Sequence, residues 1–229
     1  MNRADLALVI FDCDGVLVDS EPLSIDVLTH YFTELGVPVA HDLAYTRFLG
    51  RSMATIIGIM HDEYGLRVTD VHLTELRERL NVRFRSELQP IPHIAAALSD
   101  IPYARCVASS SKPERIRLSL GLTGLLESFE PHIYSSTMVK NGKPAPDLFL
   151  HAAREMGASP SDCVVVEDSP AGIQAAKSAG MRVLAFTGGT HAAPSGLRAA
   201  VEALSPDAVF DDMRMLSGLL LPYPAANAT

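Results

Sequence analysis

The chain has 229 residues, 48% hydrophobic and 20% charged, the proportions of a soluble globular protein with one core or a core plus a small second unit. Its 27 acidic against 19 basic residues leave a net charge of −8, which argues against nucleic acid or an anionic membrane as the main partner. No basic-plus-apolar leader and no apolar stretch of spanning length are seen, and the three cysteines lie in or beside apolar runs as reduced thiols do, so a cytoplasmic location is expected.

Leu6 to Phe11 is an unbroken apolar run that reads as a strand buried on both faces. It ends in Asp12, Cys13, Asp14 and Gly15, where a glycine turn after an extended tip can gather two carboxylates around one small site. Cys13 between two aspartates is a poor nucleophile, because nearby negative charge raises a thiol pKa. From 21 to 35 the stripe Leu23, Val27, Leu28, Tyr31, Phe32 and Leu35 predicts a helix, stopped by Gly36 and Pro38. A helix capped by Ser52 carries Ile56, Ile57, Met60 and Tyr64. Another, opened by Thr69 or Asp70, carries Leu73, Leu76, Leu80, Phe84 and Leu88.

Pro90-Ile91-Pro92 marks a boundary, after which strands and helices alternate. Arg105–Ala108, His132–Ser135, Cys163–Glu167, Arg182–Phe186 and Ala208–Phe210 are the expected strands. A helix from about Pro113 and another over Ala171–Ala179, with Ser169 as cap and Pro170 at its first position, lie between them. This order predicts an α/β fold: a Rossmann-like parallel sheet formed by residues 1–19 and 91–229, with an all-helical unit over 20–90 inserted after the first strand. Such an insertion sits over the ligand crevice at the carboxyl ends of the strands, where a lid belongs.

Four loops at that edge carry polar chemistry: Asp12 and Asp14; Ser109-Ser110-Ser111-Lys112; Lys143-Pro144-Ala145-Pro146-Asp147; and Glu167-Asp168. Taken singly, each has an ordinary explanation as a turn, a cap or a solvated charge. Together, Asp12, Asp14, Glu167 and Asp168 would repel one another without a cation, and hard oxygen donors of this kind suit Mg²⁺. Lys143 and the Ser109 hydroxyl form a receptor for an anion, and the set as a whole suits phosphoryl transfer to a carboxylate.

The run Phe11-Asp-Cys-Asp-Gly-Val-Leu-Val-Asp-Ser-Glu21 resembles the first motif of the haloacid dehalogenase superfamily, in its β-phosphoglucomutase-like phosphatase branch. Ser109, Lys143-Pro-Ala-Pro-Asp147 and Glu167-Asp-Ser-Pro-Ala-Gly172 resemble the other three motifs, in order, so the likeness covers essentially the whole chain. The resemblance implies Asp12 as nucleophile and Asp14 as general acid, then base. It implies Mg²⁺ held by Asp12, the Asp14 carbonyl and Asp168, with Glu167 direct or through water. Ser109, Ser110 and Lys143 would receive the phosphoryl group, with Arg51, Ser111 and Lys112 reaching the far end of the substrate. Asp19 would support the loop. The segment from Phe48 to Gly58 is similar to that of sugar-acid phosphatases, 6-phosphogluconate phosphatase among them. A small phosphorylated metabolite is thus the expected partner of a monomer or weak homo-oligomer.

Rival readings remain within the superfamily. Dehalogenases lack the second aspartate, which Asp14 supplies here, and a phosphonatase needs a lysine in the inserted unit. Residues 20–90 hold seven arginines and no lysine. A sugar-phosphate mutase uses a histidine twelve residues after the nucleophile, the position of Ser24, and the nearest histidine, His30, is expected on the surface. A non-catalytic binder of phosphorylated ligands is the alternative from a different class.

Overall fold

The computed structural model describes residues 6–49 and 53–220. Its centre is a six-stranded parallel sheet: β1 (Leu8–Phe11), β2 (Ala104–Ser109), β3 (Ile133–Ser135), β4 (Cys163–Glu167), β5 (Arg182–Phe186) and β6 (Ala208–Phe210). Their order is β3-β2-β1-β4-β5-β6, so the chain reverses its direction of winding across β1. Phe11 is in register with Val107 of β2 and Val166 of β4, which brings the residues just beyond them to one edge. That edge is the switch point at which open α/β sheets bind ligands.

Four helices follow β1: α1 (Glu21–Glu34), α2 (His41–Phe48), α3 (Met53–Tyr64) and α4 (Asp70–Glu87). After them come α5 (Ile94–Asp100), α6 (Pro113–Leu122), α7 (Asp147–Glu155), α8 (Pro170–Ser178), α9 (Ala192–Ser195), α10 (Leu197–Glu202) and α11 (Leu216–Leu220). Two of the expected caps are in place, and the third, Ser52, lies outside the described residues. The Thr69 hydroxyl accepts from His72 N at 3.4 Å, and the Ser169 hydroxyl accepts from Gly172 N at 3.0 Å. The expected helix over 21–35 closes at Glu34, with Gly36 at φ +87° turning the chain as glycine can. The sequence reading gave α2 no helix of its own: only Ala44 and Phe48 of its eight residues are buried, too few to make a stripe.

Strand alternation sorts the core into two layers. Val9, Phe11, Val107 and Val166 face α5, α6 and α11, where the Phe11 ring meets Phe129 edge-on at 5.8 Å between centroids. Leu8, Ile10, Cys106 and Val165 face α7, α8 and α10. All four residues of β1 are buried, as the unbroken apolar run predicts. The first four helices enclose a third cluster built on Ile25, Tyr31, Phe32, Phe48 and Met60, whereas Phe84 and Leu88 near the end of α4 join the sheet's core. The three cysteines are free and buried. No helix of the described residues is long and apolar enough to cross a membrane.

Candidate active site

Each sheet loop that the sequence marks as chemical reaches the switch point. Asp12 follows β1, and its backbone N–H donates to Val166 O at 3.0 Å, continuing the ladder for one residue. Gly15 then turns the chain at φ +79°, and a Cβ there would come within 2.1 Å of Asp168 Oδ2. Only glycine lets the first loop approach the fourth so closely.

Lys143, after β3, is almost completely buried and binds two carboxylates. Its Nζ lies 2.6 Å from Asp12 Oδ1 and 2.7 Å from Glu167 Oε1, and it stands 4.9 Å from the Phe149 ring centroid. Burial pulls its pKa down, but Asp12 and Glu167 outweigh that and hold the ammonium well above the usual lysine value. Glu167 accepts on its other oxygen from Ser169 N at 2.6 Å and Ser169 Oγ at 2.9 Å. Both oxygens are therefore engaged. Gly172 makes this possible, since a Cβ there would fall 1.8 Å from Glu167 Oε1.

Asp14 has a different environment. Its Oδ1 accepts from Ser20 Oγ at 2.6 Å and Arg115 Nη2 at 3.0 Å, and its Oδ2 from Ser111 Oγ at 2.7 Å. Burial opposes its ionisation, yet the Arg115 guanidinium and the two hydroxyls prevail and hold the carboxyl below its usual range. Asp12 goes the other way. Burial, reinforced by Glu167, Asp168 and Asp14, pushes it well above the carboxylate range despite Lys143. Burial and Glu167 also raise Asp168, opposed by His191 and Lys143. Burial and the two aspartates push the Cys13 thiol up, which disfavours its thiolate, in the direction the sequence predicts.

The side chains expected to hold a metal meet only in part. Asp12 and Asp168 border the same turn, but among the described residues no three acidic, histidine or cysteine side chains form a ligand cluster. Asp12 and Asp168 offer hard carboxylate oxygens, donors of the kind Mg²⁺ takes one or two of beside water. Burial first, and then the neighbouring carboxylates, raise Asp12 and Asp168, and a divalent cation beside them would offset both.

Ser109 is buried, and its hydroxyl accepts from Ser111 N at 3.1 Å. Ser110 is exposed at the cavity edge, with its carbonyl accepting from Ser136 Oγ at 2.9 Å. The Ser111 hydroxyl donates to Asp14, and the residue lines the cavity. Lys112, at the start of α6, is exposed and lines the cavity. Arg51 lies outside the described residues. Asp19 accepts from Thr190 Oγ1 at 2.8 Å and ties the first loop to the one after β5. His30 is exposed and bonds to Asp26 O at 2.8 Å.

Arg115 and His191 were not legible in the motifs, and Glu21 closes the first motif's run with no role assigned to it there. Arg115 sits in the first turns of α6. His191 is fully buried with Nε2 3.0 Å from Asp168 Oδ2, close enough for an ion pair, though neither ring nitrogen completes a hydrogen bond. Burial opposes its protonation, and Asp168, Glu21 and Asp19 overcome that and raise its pKa. Glu21 lines the same cavity of about 1080 Å³, which runs from Asp12 to α3 and α4.

Parallel α/β topology with a carboxylate–lysine centre at the switch point defines a Rossmann-like enzyme. The family model described as haloacid dehalogenase-like hydrolase matches residues 9–186, and the chain belongs to that family. It is 33% identical over 187 residues to 6-phosphogluconate phosphatase of Escherichia coli K12, covering 81% of this chain and 85% of that one. To β-phosphoglucomutase of Bacillus subtilis 168 it is 31% identical, covering 76% and 80%. Among solved structures, a haloacid dehalogenase-like protein of Agrobacterium tumefaciens C58 superposes with a TM-score of 0.83 at 35% identity, over 94% of this chain and 97% of that one.

Burial, with the Asp14 and Asp168 charges, raises the Glu21 pKa from 4.5 to about 7. The folded state then holds a proton the unfolded chain releases, so Glu21 contributes stability below pH 4.5 that is lost as pH rises to 7. Urea unfolding in excess chelator should show Glu21→Gln gaining on wild type by on the order of 1–3 kcal/mol between pH 4.5 and 7.5. A difference independent of pH would contradict the assignment.

Proposed function

We propose that the protein is a Mg²⁺-dependent phosphatase that hydrolyses a small phosphorylated metabolite through an aspartyl phosphate on Asp12, with the helices of 20–90 as a cap over the site. The observation that carries this reading is the Asp12–Lys143–Glu167 chain of ion pairs beside Asp168 and Ser109, at the edge where substrates of this fold class enter.

Asp12 Oδ attacks phosphorus, forming its own O–P bond as the bond to the substrate oxygen breaks. Asp14, ionised beside Arg115 before substrate enters, takes up a solvent proton as the anionic substrate binds and gives it to the departing alkoxide, then takes one from the water that attacks the aspartyl phosphate, releasing inorganic phosphate and restoring Asp12. Lys143 and Ser109 hold the phosphoryl oxygens through this inversion. Asp12, Asp168 and the Asp14 carbonyl would hold Mg²⁺, which would supply positive charge for the phosphoryl oxygens and favour ionised Asp12. Glu167 holds Lys143 and would reach the metal directly or through water.

The far wall supports a sugar phosphate or sugar-acid phosphate as substrate. Arg77, Asn81 and Arg85 follow one another at four-residue steps on α4 and line the cavity. Arg79 and Arg83 on the same helix are paired with Glu34 and Asp26, but Arg77 and Arg85 have no carboxylate partner among the described residues. A substrate rich in hydroxyls, or with a second anion, meets complementary groups there.

Asp12→Asn should abolish phosphate release while leaving the thermal midpoint within a few degrees, because it removes charge and almost no volume. Substantial residual turnover would sink the covalent route. Excess chelator should stop turnover and added Mg²⁺ restore it, and full activity in chelator would remove the metal from the mechanism.

Hydrolysis, not isomerisation, is the expected outcome. The position used by mutases for a histidine is Ser24, which donates to Ser20 O at 2.9 Å and neither ionises nor accepts a proton near neutrality. Phosphorus NMR of glucose 1-phosphate and glucose 6-phosphate with a trace of sugar bisphosphate should show inorganic phosphate from any isomer accepted and no interconversion. Isomer formation outrunning phosphate release would establish the mutase instead.

A further inference from the structure

We infer that Arg115 is a positioning residue for Asp14, and that it ties the orientation of that carboxylate to the helices of the proposed cap. The inference rests on the acid–base role proposed for Asp14. Three donors hold the carboxylate: Ser20 Oγ and Arg115 Nη2 on Oδ1, and Ser111 Oγ on Oδ2. The two serine hydroxyls can rotate to follow the carboxylate, whereas a guanidinium is a planar fork whose N–H directions are fixed. The rigid member of the set therefore dictates where Oδ1 lies.

What fixes Arg115 comes from the other side of the cavity. Its guanidinium carbon stands 5.1 Å from the ring centroid of Phe84, a buried residue of α4. Its Nη2 is 3.5 Å from Ser24 Oγ on α1, at the limit of a hydrogen bond. Nε is buried without a partner among the described residues, so stacking and the Asp14 contact hold the group in place of a full set of hydrogen bonds. Arg115 is anchored on α6 of the sheet domain, touches both long helices of the inserted unit, and ends on Asp14. A shift of α1 or α4 thus reaches Asp14 through one side chain.

Proton transfer to a leaving alkoxide needs Asp14 placed within a fraction of an ångström, and misplacement by about 1 Å costs up to about a hundredfold. Misplacement hurts only where the leaving group needs the proton. The test uses 4-nitrophenyl, phenyl and benzyl phosphates, which are alike in size but leave as progressively stronger bases. The readout is kcat/KM, which covers steps up to formation of the phosphoenzyme. Arg115→Met should lose about ten- to a hundredfold on benzyl phosphate and less than about threefold on 4-nitrophenyl phosphate. In an Asp14→Asn background the same change should cost nothing further, because the group it positions is gone.

Equal losses on all three substrates, a gain on any of them, or a full additional loss in the Asp14→Asn background would overturn the inference. Should Arg115→Met fail to fold, Arg115→Lys is measured in the same way. A larger loss on benzyl than on 4-nitrophenyl phosphate supports positioning, and an even loss or none refutes it. Asp14→Asn alone separates the two levels. If it loses all three substrates equally, the acid–base reading of Asp14 fails. If it discriminates between them and Arg115→Met does not, only the role of Arg115 fails.

Discussion

The bond that the site depends on is the double ion pair of Lys143. One buried ammonium lies between Asp12 at the end of β1 and Glu167 at the end of β4, and it reaches them from the loop after β3, at the far side of the sheet. Breaking a buried pair by removing one partner costs about 3–5 kcal/mol, because the orphaned charge stays buried. Here two carboxylates would be orphaned together, beside Asp168. Lys143 therefore both organises the loops and makes the negative charge of the crevice tolerable. In the proposed function a phosphoryl group brings further negative charge beside it, so the pair that stabilises the site without substrate is the one a substrate would loosen.

Close backbone approach is the second constraint. Gly15 and Gly172 occupy positions where a Cβ would collide with Asp168 and Glu167, and a Cβ on Gly189 would lie 2.5 Å from the His191 ring. Each glycine removes volume beside an acidic or basic side chain of the crevice. Asp168 can thus lie against the first turn with His191 behind it, in a packed and charged setting that water would otherwise occupy.

The sheet was legible because parallel strands are buried on both faces and read as continuous apolar runs. Cys163–Glu167, Arg182–Phe186 and Ala208–Phe210 come out with the expected bounds. The four polar loops were legible because strand ends share one edge. What the sequence did not reveal depends on approach in three dimensions. Arg115 looks like a solvated arginine in a first helical turn until Phe84, 31 positions earlier, supplies a ring beneath it. His191 follows Gly188-Gly189-Thr190, and the glycine pair was the available hint that backbone passes close to something there. α2 escaped because two buried positions cannot set a period.

Two aspartates two positions apart thus acquire opposite characters. On an extended tip they share a side, but the Gly15 turn sends Asp12 to Lys143 at the sheet and Asp14 to Arg115, which touches α1 and α4. Asp12, pushed up by burial and like charges, gains most from any cation brought beside it, whether metal or ammonium. Asp14, already paired, gains least and is held by groups that touch α1 and α4. A nucleophile must not move during in-line attack, whereas an acid that becomes a base has to meet first a leaving group and then a water. Fixing the first to the sheet and linking the second to the inserted helices gives each carboxylate the support its proposed task requires.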